Sequence, residues 1–147
     1  MVGDRDLQAD GFIAQAGYRL FDAREAIKSG RYASAIQASQ ESIELHAKGL
    51  FLLRNKSFPP KHSFSEEEFL EALKGLPDDE HLNLTRVYLL LRFWGEFYET
   101  AKYGVERMVV SARDLFHIEE AQLAVTHAEE CQRTIIRLRV KLETARS

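Results

Sequence analysis

The chain has 147 residues, 45% hydrophobic and 29% charged, with a formal net charge of -3, which excludes a disordered segment and any general drive toward nucleic acid or an anionic membrane. That length suits one domain, residues 1–147, able to bury a core without metal or disulfide staples. The single cysteine, Cys131, excludes an intramolecular disulfide and suits a reducing cytoplasm; no apolar run approaches the roughly 18 residues of a membrane span.

The polar, acidic start MVGDRDLQAD is unlike a signal peptide. A first helix is predicted over about Asp4 to Lys28, because Leu7, Phe12 or Gly11, Ala14, Tyr18, Phe21 and Ile27 recur at helical spacing. Ser29-Gly30 ends it, glycine being suited to a left-handed C-cap. A second helix follows, about Arg31 to Asn55. It carries one stripe of Tyr32, Ile36, Ser39, Ile43, Ala47 and Leu50, and beside it Ala35, Ala38, Ser42, Leu45, Gly49 and Leu52. Two apolar or small stripes mean neighbours on two sides. What stays polar is the strip Gln37, Glu41, Glu44 and Lys48, in which Glu44 and Lys48 have the favourable i,i+4 order.

Phe58-Pro59-Pro60-Lys61-His62 is a turn, since proline pushes its predecessor out of helix. Ser65 with Glu68 reads as a capping box opening a short helix to Leu73. Asp78 and Asp79 are placed to cap the next helix, which carries Leu82, Val87, Leu90, Leu91, Trp94, Phe97 and Tyr98 and ends near Tyr103-Gly104. The aromatic pairs Phe93-Trp94 and Phe97-Tyr98 are predicted core. Residues 105–116 read as a connection holding one helical turn. The last helix starts at His117 or Ile118 and places Ile118, Ala121, Val125, Ala128, Gln132, Ile135, Arg139 and Leu142 on one stripe, with Cys131 in the core. Helices of roughly 25 residues on short connections pack antiparallel. The predicted fold is therefore all-α, an up-and-down antiparallel bundle of four long helices plus a short one.

The segment SGRYASAIQASQESIELHAKGLFLLRNKSFPPKHS resembles the core of a HEPN domain (higher eukaryotes and prokaryotes nucleotide-binding), of the small prokaryotic type. The resemblance rests on Gly30, Tyr32, Ala33, Ala35, Glu41, Glu44, Lys48 and His62. It continues in Ala101 to Gly104 (AKYG), similar to the family's Arg-Tyr-Pro/Gly element, and in ARDLFHIEEAQLAVTHAEEC, similar to its final helix. Gly30-x-Tyr32 with spaced alanines also resembles a tetratricopeptide helix, but that architecture needs several copies of its repeat and one is present.

The resemblance implies two activities. Some HEPN domains are metal-independent ribonucleases with an Arg-x4-6-His motif near the last helix. Others lack it and act as nucleotide-associated partners, often of a minimal nucleotidyltransferase in a two-gene toxin–antitoxin module. This sequence departs from the motif: its nearest pair, Arg113-x3-His117, is one residue short. One residue turns a helical side chain by about 100°. The first expectation is therefore a cytoplasmic HEPN protein without strong catalysis, associated with a nucleotide or with that partner. The second is a divergent ribonuclease in which Arg113 stabilises the phosphate and His117 moves a proton. The third is a purely structural helical adaptor. The resemblance also implies a homodimer, with ligand or RNA sites in the cleft between subunits. The doubly apolar second helix points the same way.

For a nucleotide pocket the candidates are Glu44, Lys48, His62, Lys102 and Tyr103. Lys48 would supply charge, His62 would approach from the stiff Pro-Pro turn, and Tyr103 would offer a stacking face. A solvated strip and a helix-capping histidine are the plainer alternative. His46, His81 and His127 stand at no metal-ligand spacing, so neither a metal nor a cofactor is expected. Arg133, Arg137 and Lys141 form a basic row that reads best as a solvated face beside Glu129 and Glu130.

Overall fold

Alternating helical stripes that each need a neighbour produce a bundle of four long helices. The computed structural model describes residues 3–56 and 64–146. Helices α1 (Asp4–Lys28), α2 (Tyr32–Leu53), α4 (Asp78–Gly95) and α7 (Ile118–Arg146) are the long elements. The short α3 (Glu66–Leu73) lies between α2 and α4; α5 (Tyr98–Tyr103), a 3-10 turn (Glu106–Met108) and α6 (Ala112–Leu115) lead into α7. Among the described residues there is no strand, only an isolated bridge between Val105 and Val110.

Cross-helix pairs set the directions. Ser42 Oγ donates to the Ala16 carbonyl at 2.7 Å, and Arg19 faces Glu41, so α1 and α2 run antiparallel. Arg139 meets Asp10 at 2.9 Å and Arg24 meets Glu129 at 2.8 Å, so α7 is antiparallel to α1. Arg86 meets Glu130 and Lys141 meets Glu80, so α4 is antiparallel to α7. The order is up, down, up, down.

Local signals explain the ends. After Lys28 the chain closes a Schellman turn: Gly30 at φ +75° donates to Ile27, and Arg31 to Ala26. Asn55 at φ +59° ends α2 the same way. Ser65 and Glu68 form the predicted capping box. Asp78 and Asp79 are not caps: Pro77 is the N-cap of α4, and both aspartates occupy the first turn, where they still face the positive dipole end. The predicted helix to Tyr103 is broken after Gly95, because the chain turns there to bring Tyr98 against α2.

α2 lies at the centre and touches α1, α4, α5, α6 and α7. Ile36, Ile43, Ala47 and Leu50 are fully buried. Gly49 lets α1 come close, since an added Cβ would sit 3.0 Å from Ile13. Both stripes of α2 are thus covered within the chain, and its doubly apolar character no longer speaks for a dimer.

α1 departs from expectation. Its buried face is Ala9, Ala16, Leu20, Ala23 and Ala26, while Leu7, Tyr18 and Phe21 are 61%, 69% and 59% exposed. Alanines allow the tightest approach of α1 to α2, and the larger residues face out. On α4, Leu82 and Phe93 also face out, and Phe97 is partly exposed rather than core.

Gly104 has φ +77°, and a Cβ there would collide with the Val110 carbonyl and the Ala112 nitrogen. Gly104→Ala should therefore cost about 3 kcal/mol in urea denaturation, from left-handed strain plus the clash. A loss under about 0.5 kcal/mol, typical of a surface change, would show that the Val105–Val110 loop yields.

Candidate functional site

The polar strip of α2 does not face open water. Glu44 is buried, with its Oε1 3.6 Å from Lys48 Nζ, and Lys48 is only 20% exposed at its side chain. Lys48 Nζ also stands 6.0 Å from the Phe12 ring. One turn earlier, Glu41 receives Arg19 Nε at 3.6 Å and a long hydrogen bond from the Tyr98 hydroxyl at 3.4 Å. Tyr98 comes from α5, which the break at Gly95 folds onto α2. Burial first, and then the Glu41 carboxylate, push its phenol above the usual range.

α5 adds the remaining pieces. Lys102 Nζ lies 6.0 Å from the Tyr98 ring and 5.3 Å from the Tyr103 ring, and its hydrogen bond with Tyr103 holds its pKa above the ordinary lysine value. Tyr103 is 57% exposed, so a ring face is open. Four of the five residues expected at a nucleotide pocket, Glu44, Lys48, Lys102 and Tyr103, thus lie on two elements that pack together. The fifth, His62, lies outside the described residues. Tyr98 is a member that sequence reasoning missed. Its apolar spacing reads as core, and no linear pattern links it to Glu41, 57 residues away. Beside Glu41, a polar groove of about 310 Å³ runs between α1 and α2 past Arg19 and Arg31.

Arg113 and His117 stand elsewhere. Arg113, on the four-residue α6, is 88% exposed at its side chain and faces Asp114 at 3.6 Å. His117, just before α7, is exposed, and a ring nitrogen lies within 4.8 Å of carboxylate oxygens of Glu119 and Glu120. The basic row does not act as a unit either: Lys141 Nζ reaches the buried Glu80 at 2.5 Å, while Arg133 and Arg137 are exposed.

Fold and site together define an all-helical domain with a polar cluster between its second helix and a short helix folded onto it. The profile of the HEPN domain matches residues 9–138. This chain belongs to the HEPN domain family. It is also similar in fold to the crystal structure of the protein TT1696 from Thermus thermophilus, at 19% identity and a TM-score of 0.62, covering 88% of this chain and 97% of that one. No curated protein matches the sequence. No helix among the described residues is long and apolar enough to cross a membrane.

Proposed function

We propose that this chain is a nucleotide-associated HEPN protein, a homodimer without strong catalysis of its own, serving a minimal nucleotidyltransferase in a toxin–antitoxin-type pair. The observation that carries this is the convergence of α2 and α5. Two lysine ammonium groups, Lys48 and Lys102, and the exposed Tyr103 ring are set on a packed scaffold; Glu44 pairs with Lys48, Tyr103 hydrogen-bonds Lys102, and Glu41 ties α5 to α2 through Tyr98. Cations beside an open aromatic face suit a phosphate and a base. The short spacing of Arg113 and His117, and the carboxylates beside both, weigh against RNA cleavage, where both side chains would serve an anionic phosphate.

Calorimetric titration with ATP tests the ligand. Lys48→Ala should weaken binding by about 1–3 kcal/mol, the range for losing a charge-assisted hydrogen bond. Thermal stability should fall as well, because the change removes the i,i+4 cation beside the buried Glu44 carboxylate, so binding is titrated at a temperature where both proteins are folded. Absence of binding by the parent protein at millimolar ATP would overturn the nucleotide assignment. A nucleotidyltransferase gene adjacent to this one, and co-purification of its product, test the partner.

A further inference from the structure

Helix α1 carries an apolar seam that its own chain does not use. Leu7, Gly11, Ala14, Tyr18 and Phe21 alternate four and three residues apart, the 3.5-residue spacing of a helix–helix seam. All five are exposed. Inward packing is done by the alanine face, so the seam is surplus to the fold. Gly11 is the clearest sign. It lies within α1 and outside the left-handed region, and a Cβ there would meet nothing within 4 Å. Glycine inside a helix is less favourable than alanine, and no contact within this chain requires it at this position.

Resting on the homodimer reading, we propose that the α1 seam is the surface on which a second copy of this chain docks, antiparallel, with the two-fold axis at Ala14. In that register Tyr18 of each copy lies over Gly11 of the other, Leu7 faces Phe21, and the two Ala14 residues meet on the axis. Tyr18 thus lies over the smallest residue of the other copy, and the seam maps onto itself under the two-fold axis, as an isologous contact requires. On the flank, Gln15 meets its own mate and Gln8 meets Asp22; where the seam ends, Asp4 comes opposite Glu25, whose charge Lys28 offsets at 3.1 Å. Ile136 and Val140 of α7, 44% and 57% exposed, widen the patch on the side where Arg139 binds Asp10. With aromatics presenting about 150–250 Å² when fully buried, the patch amounts to roughly 500 Å² of apolar surface per copy. A standard interface of about 800 Å² per partner, roughly 60% apolar, requires about that much.

The test uses the full chain. Light scattering across micromolar to millimolar concentrations should give twice the 16.9 kDa chain mass. Tyr18→Glu should return it to one chain mass with an unchanged circular dichroism spectrum, and Gly11→Gln should weaken the dimer at least tenfold although it favours helix. Ala14→Cys should yield a disulfide-linked dimer under mild oxidant, since the native Cys131 is buried. Leu89→Cys, on the exposed face of α4, should not. A particle of one chain mass throughout overturns the homodimer and the seam together. A dimer that survives Tyr18→Glu and gives no Ala14→Cys cross-link overturns the seam alone.

Discussion

Ile43→Asp should leave little folded protein at 25 °C. Ile43 is fully buried at the centre of α2, the helix against which every other long helix packs. A carboxylate there loses its hydration and finds no cation, because the strip holding Lys48 lies on another face of the helix. Burying an unpaired charge belongs to the short list of changes costing more than about 4 kcal/mol. That is a large share of the roughly 5–15 kcal/mol typical of a domain. Far-ultraviolet circular dichroism and urea denaturation read it directly. Leu82→Asp makes the contrast. Leu82 also sits in an apolar helical pattern, but it is 73% exposed, so the same chemical change there should cost no more than about 0.5 kcal/mol. Equal losses at the two positions would contradict the burial of α2 at the centre of the bundle.

That contrast marks what periodicity can convey. The limits of α1, the capping box at Ser65, the two covered stripes of α2 and the start of α7 are all legible in sequence, because each depends on residues within one or two turns. The inward face of α1 is not. A 3.5-residue seam and an alanine ladder coexist on that helix, and an apolar pattern is the same whether the chain's own core or another molecule covers it. The end of α4 misleads for a related reason: Phe97 and Tyr98 continue the apolar spacing past Gly95, although the backbone turns there.

The site shows the same division. Glu44 and Lys48 are legible as an i,i+4 pair, but their burial is not, since it depends on the neighbours that fold against α2. Lys102 and Tyr103 can be named from their family element, whereas Tyr98 becomes part of the cluster only through the third dimension. Arg19, which steadies Glu41 from α1, gives no local signal at all. A polar strip on a central helix reads as solvated until the element that caps it is placed.

Acid should destabilise the protein through His46 before its carboxylates are protonated. His46 is fully buried in α2, and neither ring nitrogen reaches hydrogen-bond geometry among the described residues. Desolvation dominates, the nearby Ser42 carbonyl offsets it only partly, and the pKa falls from 6.5 to about 4. The unfolded chain therefore binds the proton more readily than the folded one. Stability is fully present above pH 6.5, declines as pH falls toward 4, and loses nothing further from this residue below that. At roughly 1.4 kcal/mol per pH unit, the interval corresponds to about 3 kcal/mol. His127, accepting a hydrogen bond from Trp94 Nε1 at 2.9 Å, is also held below its ordinary value by burial and acts in the same direction. His46→Leu separates the two. Leucine fills a similar volume without the unpaired nitrogens, so stability at pH 7 should change by less than about 1.5 kcal/mol. The difference between variant and parent should then grow by about 3 kcal/mol between pH 6.5 and 4 in urea titrations at fixed ionic strength. Parallel stability curves across that range would show that the ring finds a partner for its proton inside the fold.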